Sequence, residues 1–440
     1  MKPTGLLIAV AVLVVLGGGI WWSNKKEASA SKSTDTSTKI LTIPDNQITG
    51  IRIKKLTGEA QDLKRDNGRW ALVEPKPMSA DQDTAGAMAS ALSSLSADKV
   101  IEDKATDLKA YGLNVPTLDV TVTEKDGKSE ELLIGDDTPT GSGAYAKLAN
   151  NPRVFTVASF TKSTFDKTPD DLRDKRLMTF DSDKITRVEL QAKGQTVEFG
   201  KNGQNEWQIV KPRPLRADNS QVDNLVSKLK DAKMDLIGSQ ADVAKNFAGA
   251  AKIAVATVTD NSGSQSLEVR KDKDKNYFAR STAVEGVYKV ASDTGDAMDK
   301  SLDDFRNKKL FDFGFSDPTR LEIQNGAVPA VVYTKSGDKW MTGAKTLDNS
   351  SVQGLIDKLR DLSATKFPDK GAGEPVFTAA VTSNDGKRVE KVTIARQGSQ
   401  YFAKRENEPS IYELDGKAVD DLKAAASGVK EATPPPAKKK

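Results

Sequence analysis

The sequence predicts an α+β protein in which an N-terminal transmembrane helix is followed by three tandem α+β repeats with mainly antiparallel sheets. Three observations predict it. An uninterrupted apolar run, Gly5 to Trp22, precedes the body of the 440-residue chain. The triplets Ile51-Arg52-Ile53, Val188-Glu189-Leu190 and Leu321-Glu322-Ile323 each stand nineteen residues before a tryptophan: Trp70, Trp207 and Trp340. An aspartate, Asp81, Asp218 or Asp348, then precedes the same apolar stripe in each copy. Recurrence of this kind fixes the architecture before any single motif is considered. The expected organisation is a membrane anchor over residues 1–26, with the span at about 5–22, and a linker over 27–38. Repeats follow over 39–177, 178–310 and 311–432, the last abridged, and a basic tail over 433–440.

The apolar run is long enough to span roughly 27 Å as a helix, about the thickness of a bilayer core. Trp21 and Trp22 stand where an interfacial aromatic anchor belongs, and Lys25 and Lys26 follow in water. A cleaved signal peptide competes with this reading, because Ala28-Ser29-Ala30 fits a small-residue cleavage site. The run exceeds the usual length of a signal core and the site lies well beyond it, which favours an uncleaved anchor. Lys2 precedes the span and Lys25 and Lys26 follow it, so lysine count alone mildly favours a body kept inside. Large domains cross largely regardless of so small a bias, and a short head before a long apolar run is the form of a signal-anchor. The expected location is therefore a bacterial inner membrane, single-pass, with an extracytoplasmic body. Residues 27–38 are small and polar and read as a flexible tether; the prolines and lysines of 433–440 read as a disordered tail.

Each repeat begins with an alternating strand, then a second strand and a turn: Arg65-Asp66-Asn67-Gly68 in the first copy, Lys201-Asn202-Gly203 in the second. Asn-Gly is a strong hairpin signal. The tryptophan opens a third strand, which ends at Pro75 and Pro77 or at Pro212 and Pro214, since proline cannot continue a ladder. The helix comes next. Its stripe is Ala85, Met88, Ala89, Leu92; then Val222, Leu225, Val226, Leu229; then Val352, Leu355, Ile356, Leu359. Asp81, Asp218 and Asp348 suit an N-cap, accepting orphan amide protons at the positive end of the dipole. A metal or catalytic role for a recurring aspartate is the weaker reading, because each stands just before an apolar stripe.

The second half of each copy is rich in strands. Val122, Val258 and Val381 stand five residues before the turn glycines Gly127, Gly263 and Gly386. Tyr145-Ala146-Lys147, Phe278-Ala279-Arg280 and Phe402-Ala403-Lys404 follow, and ten residues after each leading aromatic comes another, Phe155, Tyr288 or Tyr412. Aromatics so placed are expected to pack the sheet. The first two copies close on charged segments around Asp171-Leu172-Arg173 and Asp304-Phe305-Arg306. The third is expected to keep only Asp421-Leu422-Lys423.

Composition narrows the chemistry. There is no cysteine and no histidine, which removes disulfides, thiolate nucleophiles, zinc–cysteine sites and the commonest general base. Net charge is +4, supplied by the two ends, so the body has no footprint for nucleic acid. Asp272-Lys273-Asp274-Lys275-Asn276 opens like a calcium loop, but Tyr277 replaces the required glycine and Ala283 the closing glutamate, so a charged turn is expected. Gly141-Ser142-Gly143 is too short to cradle phosphate. Asp136-Asp137 and Asp303-Asp304 are neighbours that point to opposite faces of a strand. No catalytic, cofactor or metal residue is assigned and no cofactor is expected.

One resemblance extends over most of the chain. Leu108-Lys109-Ala110-Tyr111-Gly112-Leu113 with Pro116, Leu132-Leu133-Ile134-Gly135, Tyr145-Ala146, Val154-Phe155 with Val157, and Asp170-Asp171-Leu172-Arg173-Asp174 resemble the DUF4340 domain family of bacterial envelope proteins. The later copies match more loosely, with Phe247 standing where the first has Tyr111. The resemblance implies an N-terminal anchor, brings no catalytic residues, and implies an accessory role beside ABC-type transporters of the gliding-motility auxiliary kind. Two functions follow. One is a non-enzymatic, membrane-anchored scaffold with an envelope-protein partner, an ABC transporter component among the candidates. The other is an enzyme acting through carboxylates on envelope carbohydrate or peptide, which requires acids in one copy that the others lack.

Overall fold

The computed structural model describes residues 38–314 and 318–433. The expected span, with Trp21, Trp22, Lys25 and Lys26, lies outside the described residues, as do all but Thr38 of the tether and all but Thr433 of the tail. Among the described residues no helix is long and apolar enough to cross a membrane. The chain forms two compact units, one ending at Lys175 and the other starting at Arg176. The second and third repeats therefore share a unit, where the sequence suggests a boundary near residue 311.

In the first unit, nine strands form one antiparallel sheet. Their order across it is Met78–Ser79, Arg69–Glu74, Gln61–Asp66, Ile48–Lys55, Leu118–Glu124, Ser129–Asp137, Gly143–Leu148, Val154–Ala158 and Lys99–Glu102. Ile51 and Ile53 are buried while Arg52 and Lys54 face out, the two-residue alternation of a sheet covered on one face. The cover is helix α1 (Gln82–Ser93), which buries Ala85, Met88, Ala89 and Leu92, with α2 (Ser159–Phe165) and α3 (Pro169–Leu172) beside it.

The second unit repeats this plan twice. An eight-stranded sheet runs from Leu215–Arg216 through Arg187–Ala192 and Ala251–Asp260 to Tyr288–Val290, under α4 (Asn219–Lys230) and α6 (Ser292–Met298), while α5 (Gln240–Gly249) packs on the opposite face against Phe278. A nine-stranded sheet runs from Lys345–Thr346 through Arg320–Asn325 and Glu374–Ser383 to Ile411–Leu414 and Ala364–Lys366, under α7 (Asn349–Asp361) and α8 (Gly416–Ser427). All three sheets place the repeated triplet beside the strand carrying Val122, Val258 or Val381.

Each tryptophan is tied to the helix that follows it. The backbone amide of Trp70 donates to Gln82 Oε1 (2.9 Å), that of Trp207 to Asn219 Oδ1 (2.6 Å) and that of Trp340 to Asn349 Oδ1 (3.2 Å). Each acceptor is the first residue of the long helix, so the third strand and the helix are tied at one point. The aspartates before them are the caps: Asp81 Oδ1 accepts from Thr84 N at 2.8 Å, Asp218 Oδ1 from Ser220 N at 3.0 Å, and Asp348 Oδ1 from Ser351 N at 2.8 Å.

Two expectations are corrected. Asn67 and Gly68 form the expected two-residue turn, with φ of 47° and 80°. Asn202 and Gly203 do not. The second strand ends at Lys201 and the third begins at Trp207, and Asn205 is the left-handed residue. Asn202 Oδ1 accepts from Gln204 N and Glu206 N, so its side chain folds a wider loop. Asp421-Leu422-Lys423 is not the closing segment of the third copy. Asp81 N donates to Leu172 O and Asp218 N to Phe305 O, but Asp348 N donates to Lys430 O. In the third copy α8 runs for twelve residues without the Thr168-Pro169 break of the first, and this carries the closing contact onward to Lys430.

Candidate functional site

The repeats invite a search for positions where the copies differ. The richest lies in the second unit, where residues 310–313 lead into the third repeat. An equivalent lead-in, residues 177–180, crosses the sheet of the second repeat. Leu177 O accepts from Ser281 Oγ, and Thr179 N donates to Gln265 Oε1 at 2.8 Å. In the third repeat the same backbone positions meet charged groups. Leu310 O accepts from Arg405 Nη1 at 2.6 Å, and Asp312 N donates to Glu390 Oε1 at 2.8 Å. Gln265 and Glu390 hold the same register, opposite Val258 and Val381, and Ser281 and Arg405 likewise face Leu267 and Val392.

Arg216 enters this charged clasp from the second repeat. It stands two residues before the Asp218 cap, where the first repeat has Ser79 and the third Thr346. Its Nη1 donates to both Asp312 carboxylate oxygens, at 2.8 and 2.6 Å. Nη2 donates to Lys309 O at 2.5 Å and to Tyr412 Oη at 3.1 Å. The Nε atoms of Arg216 and Arg405 lie 3.0 and 2.7 Å from Glu408 Oε1, as ion pairs without hydrogen-bond alignment. Arg388 Nη1 donates to Asp312 O at 2.6 Å. Three guanidinium groups thus face three carboxylates in a largely buried setting. Burial pulls the Arg216 guanidinium down, but Asp312, Tyr412 and Glu408 outweigh it and hold it above the ordinary arginine value. Burial pushes the Glu390 carboxyl up, against the Asp312 amide and Arg405. Burial likewise raises the Tyr412 hydroxyl.

A second contact joins the same two repeats. Arg306, only 6% exposed, lies over the Phe367 ring at 3.6 Å and donates through Nη2 to Ser410 Oγ at 3.2 Å. Phe367 in turn packs edge-on against Tyr412. A hollow of about 240 Å³ opens beside the cluster, lined by Glu206, Arg216, Asn307, Asp312 and Arg388 among others. Its charged groups are paired with one another, so the arrangement serves as a joint.

The first repeat carries a different departure on the outer face of its sheet. Asp119, Glu131 and Lys147 lie on neighbouring strands and point the same way, by the registers Asp119–Leu133, Thr121–Glu131 and Lys147–Leu133. The matching positions are Val255, Ser266 and Arg280 in the second repeat and Thr378, Lys391 and Lys404 in the third. Burial, a hydrogen bond with Asp119 and its charge push the Glu131 carboxyl up. Lys147 is 7% exposed, and burial draws its amine down; Nζ donates to Leu148 O at 2.9 Å and Ala149 O at 3.0 Å.

The other sequence candidates have local duties. Asp272 closes a charged turn, accepting from Asp274 N and Asn276 N. Asp304 completes a capping box with Ser301 while Asp303 pairs with Arg306. Asp137 pairs with Lys162, and Gly141 is a left-handed turn residue. Tyr111 and Phe247 do occupy related places: Tyr111 packs against Tyr145 at a tilt, and Phe247 shares a small core with Phe278. Gly112 (φ 65°) and Gly135 are required by close approach, since a Cβ on Gly112 would lie 2.5 Å from the Asp136 carboxyl and one on Gly135 would collide with the Tyr111 carbonyl. The motif around Leu108–Leu113 is thus structural. Sequence reasoning missed Arg216, Asp312, Glu390 and Arg405. The available signal was the charged closing segment around Arg306, present in the second copy, which has a repeat after it, and absent from the third.

Fold and joint together define a protein of tandem antiparallel α+β modules whose chemistry is concentrated in holding two modules together. The profile of a domain of unknown function, DUF4340, matches residues 70–206 and 207–379, more than half of the chain. The chain belongs to the DUF4340 family. Both matches begin at a repeat tryptophan; the first spans one period in a frame shifted from the folded modules, and the second runs past Trp340 into the third repeat. No curated protein and no solved structure matches the chain.

Proposed function

We infer that the protein is a non-enzymatic scaffold of the bacterial envelope, held to the inner membrane by the helix expected at residues 5–22, with its modules exported. The supporting observation is the joint around Arg216. The residues that set the second and third repeats apart from the first serve to hold two modules as one compact unit, as a partner-presenting surface requires. The family's association suggests an ABC-type transport system as the partner class. The test is chemical cross-linking in native membranes, followed by affinity purification of the full chain. A specific envelope protein should be recovered, and less of it with Arg216→Ala. Recovery of nothing above background, with a monomer throughout, overturns the reading. Protease protection in spheroplasts tests the orientation: an exported body is digested without lysis.

One observation favours the second reading, an enzyme acting through carboxylates. Asp119 and Glu131 lie together near buried Lys147 in the first repeat alone, where burial and the neighbouring Asp119 push the Glu131 carboxyl up. Purified full chain should then release soluble fragments from cell-wall polymer, and Glu131→Gln should abolish the release. Absence of release by the unaltered protein removes this reading.

A further inference from the structure

A hollow of about 450 Å³ lies at the edge of the second repeat's sheet, beside the strand Tyr288–Val290. That size falls within the ordinary range for small-molecule sites. Its lining includes Lys233, Lys275 and Lys289, which come from three separate segments: the residues after α4, the turn before Tyr277, and the edge strand itself.

Backbone register identifies their counterparts. Lys233 bridges to Arg176 as Ser96 pairs with Lys39 and Ser363 bridges to Lys309. Lys289 follows Tyr288 as Thr156 follows Phe155 and Glu413 follows Tyr412. Lys275 stands two residues before Tyr277, which pairs with Val290 as Ala144 pairs with Val157 and Tyr401 with Leu414; its counterparts are Ser142 and Ser399. The positions are thus Ser, Ser and Thr in the first repeat and Ser, Ser and Glu in the third, and only the second repeat makes all three lysine. A packing role does not account for this, since the other two copies fold the same positions with serine, threonine or glutamate. No ion pair engages these three ammonium groups among the described residues. The one acid in the lining, Asp235, has Oδ1 occupied by the Ile237 amide at 2.9 Å. Asp272 acts on Lys289 from the adjoining turn. The lining keeps an excess of two positive charges, and Asn276 adds a polar neighbour.

We propose that this hollow is an anion site for a phosphate-bearing ligand, with Lys233, Lys275 and Lys289 as its cationic groups. Three mobile ammonium groups around a compact hollow suit a tetrahedral, multiply charged oxyanion as point charges. The proposal does not depend on the scaffold reading.

The test uses the full chain in detergent at physiological salt, titrated calorimetrically with inorganic diphosphate. The same chain is assayed for binding to phosphatidylcholine vesicles with and without phosphatidic acid. Three proteins are compared: the unaltered chain, Lys233→Ser/Lys275→Ser/Lys289→Thr, which imports the first repeat's residues, and Lys104→Ser/Lys370→Ser/Lys387→Ser, which removes exposed lysines elsewhere. Saturable binding should weaken about tenfold or more in the first variant, a few-fold per cation lost, and stay unchanged in the second. Loss in the diphosphate arm identifies a soluble ligand; loss in the phosphatidic acid arm alone identifies a lipid headgroup. No binding in either arm, or equal loss in both variants, overturns the proposal. Circular dichroism of each variant separates loss of the site from loss of the fold.

Discussion

The lead-in segments 177–180 and 310–313 make the same two backbone contacts with the sheets they cross, yet with opposite chemistry. In the second repeat Thr179, Gln265 and Ser281 close the clasp with neutral groups. In the third, Asp312, Glu390 and Arg405 do so, and Arg216 and Glu408 extend the contact into a network of ions. The contrast teaches that hydrogen bonding of the lead-in does not need charge. The charges of the third repeat are there for Arg216, which comes from the neighbouring repeat. Buried ion pairs offset their own desolvation only when every member is present. They add specificity of docking at a site where a neutral clasp would already hold the chain.

The largest effect is expected from removing Arg216. Arg216→Ala leaves Arg405 and Arg388 alone against Asp312, Glu390 and Glu408, and should cost about 3–5 kcal/mol in denaturant unfolding of the second unit. Proteolysis near residues 307–314 should become faster. A cost below about 1 kcal/mol would show the network to be no more than surface pairing. Adding Asp312→Thr to Arg216→Ala, which imports the neutral clasp, should restore part of the loss, because the stranded carboxylate goes with it. Additive losses in that double-mutant cycle would break the comparison.

Thr179→Ala should cost roughly 1 kcal/mol or less, because it leaves the Thr179 amide bonded to Gln265 and strands no charge. The cap substitution Asp348→Ala should cost about 1 kcal/mol, measured in the same way, since it orphans the Ser351 amide at the start of α7.

The smallest effect belongs to Glu390→Gln, which copies Gln265. Burial raises the Glu390 carboxyl in the folded protein. Its folded-state advantage is therefore complete below the unfolded carboxylate pKa, about 4.3, and is lost as pH rises through the folded value. Relative to Glu390→Gln, the unaltered protein should be most stable in acid and lose that advantage with rising pH. Unfolding curves taken from pH 4 to pH 8 measure the slope, and the reverse slope would show that Arg405 and Arg388 outweigh burial.

Legibility in the sequence followed distance along the chain. The apolar stripe of α4, the Asp218 cap and the turn at Asn67-Gly68 are set by residues within a few positions of one another, and periodicity exposes them. The turn at Asn202 was misread because the Asn202 side chain, by accepting from Gln204 and Glu206, overrides the Asn-Gly preference. The closing segment of the third repeat was misread because Asp421-Leu422-Lys423 imitates the pattern locally, while the partner of Asp348 is decided by where α8 ends.

By itself the sequence determined the module: which residues alternate into the sheet, which line the helix, and where each helix is capped. Those are short-range consequences of backbone geometry and side-chain period, and they recur because the module recurs. Only the tertiary structure decided what is particular to each copy. Arg216 meets Asp312 across 96 residues and Tyr412 across 196. Glu131 meets Asp119 through strand register, and three lysines from separate segments gather at one hollow. No period encodes such meetings, because they arise from how sheets and lead-ins bring distant segments together.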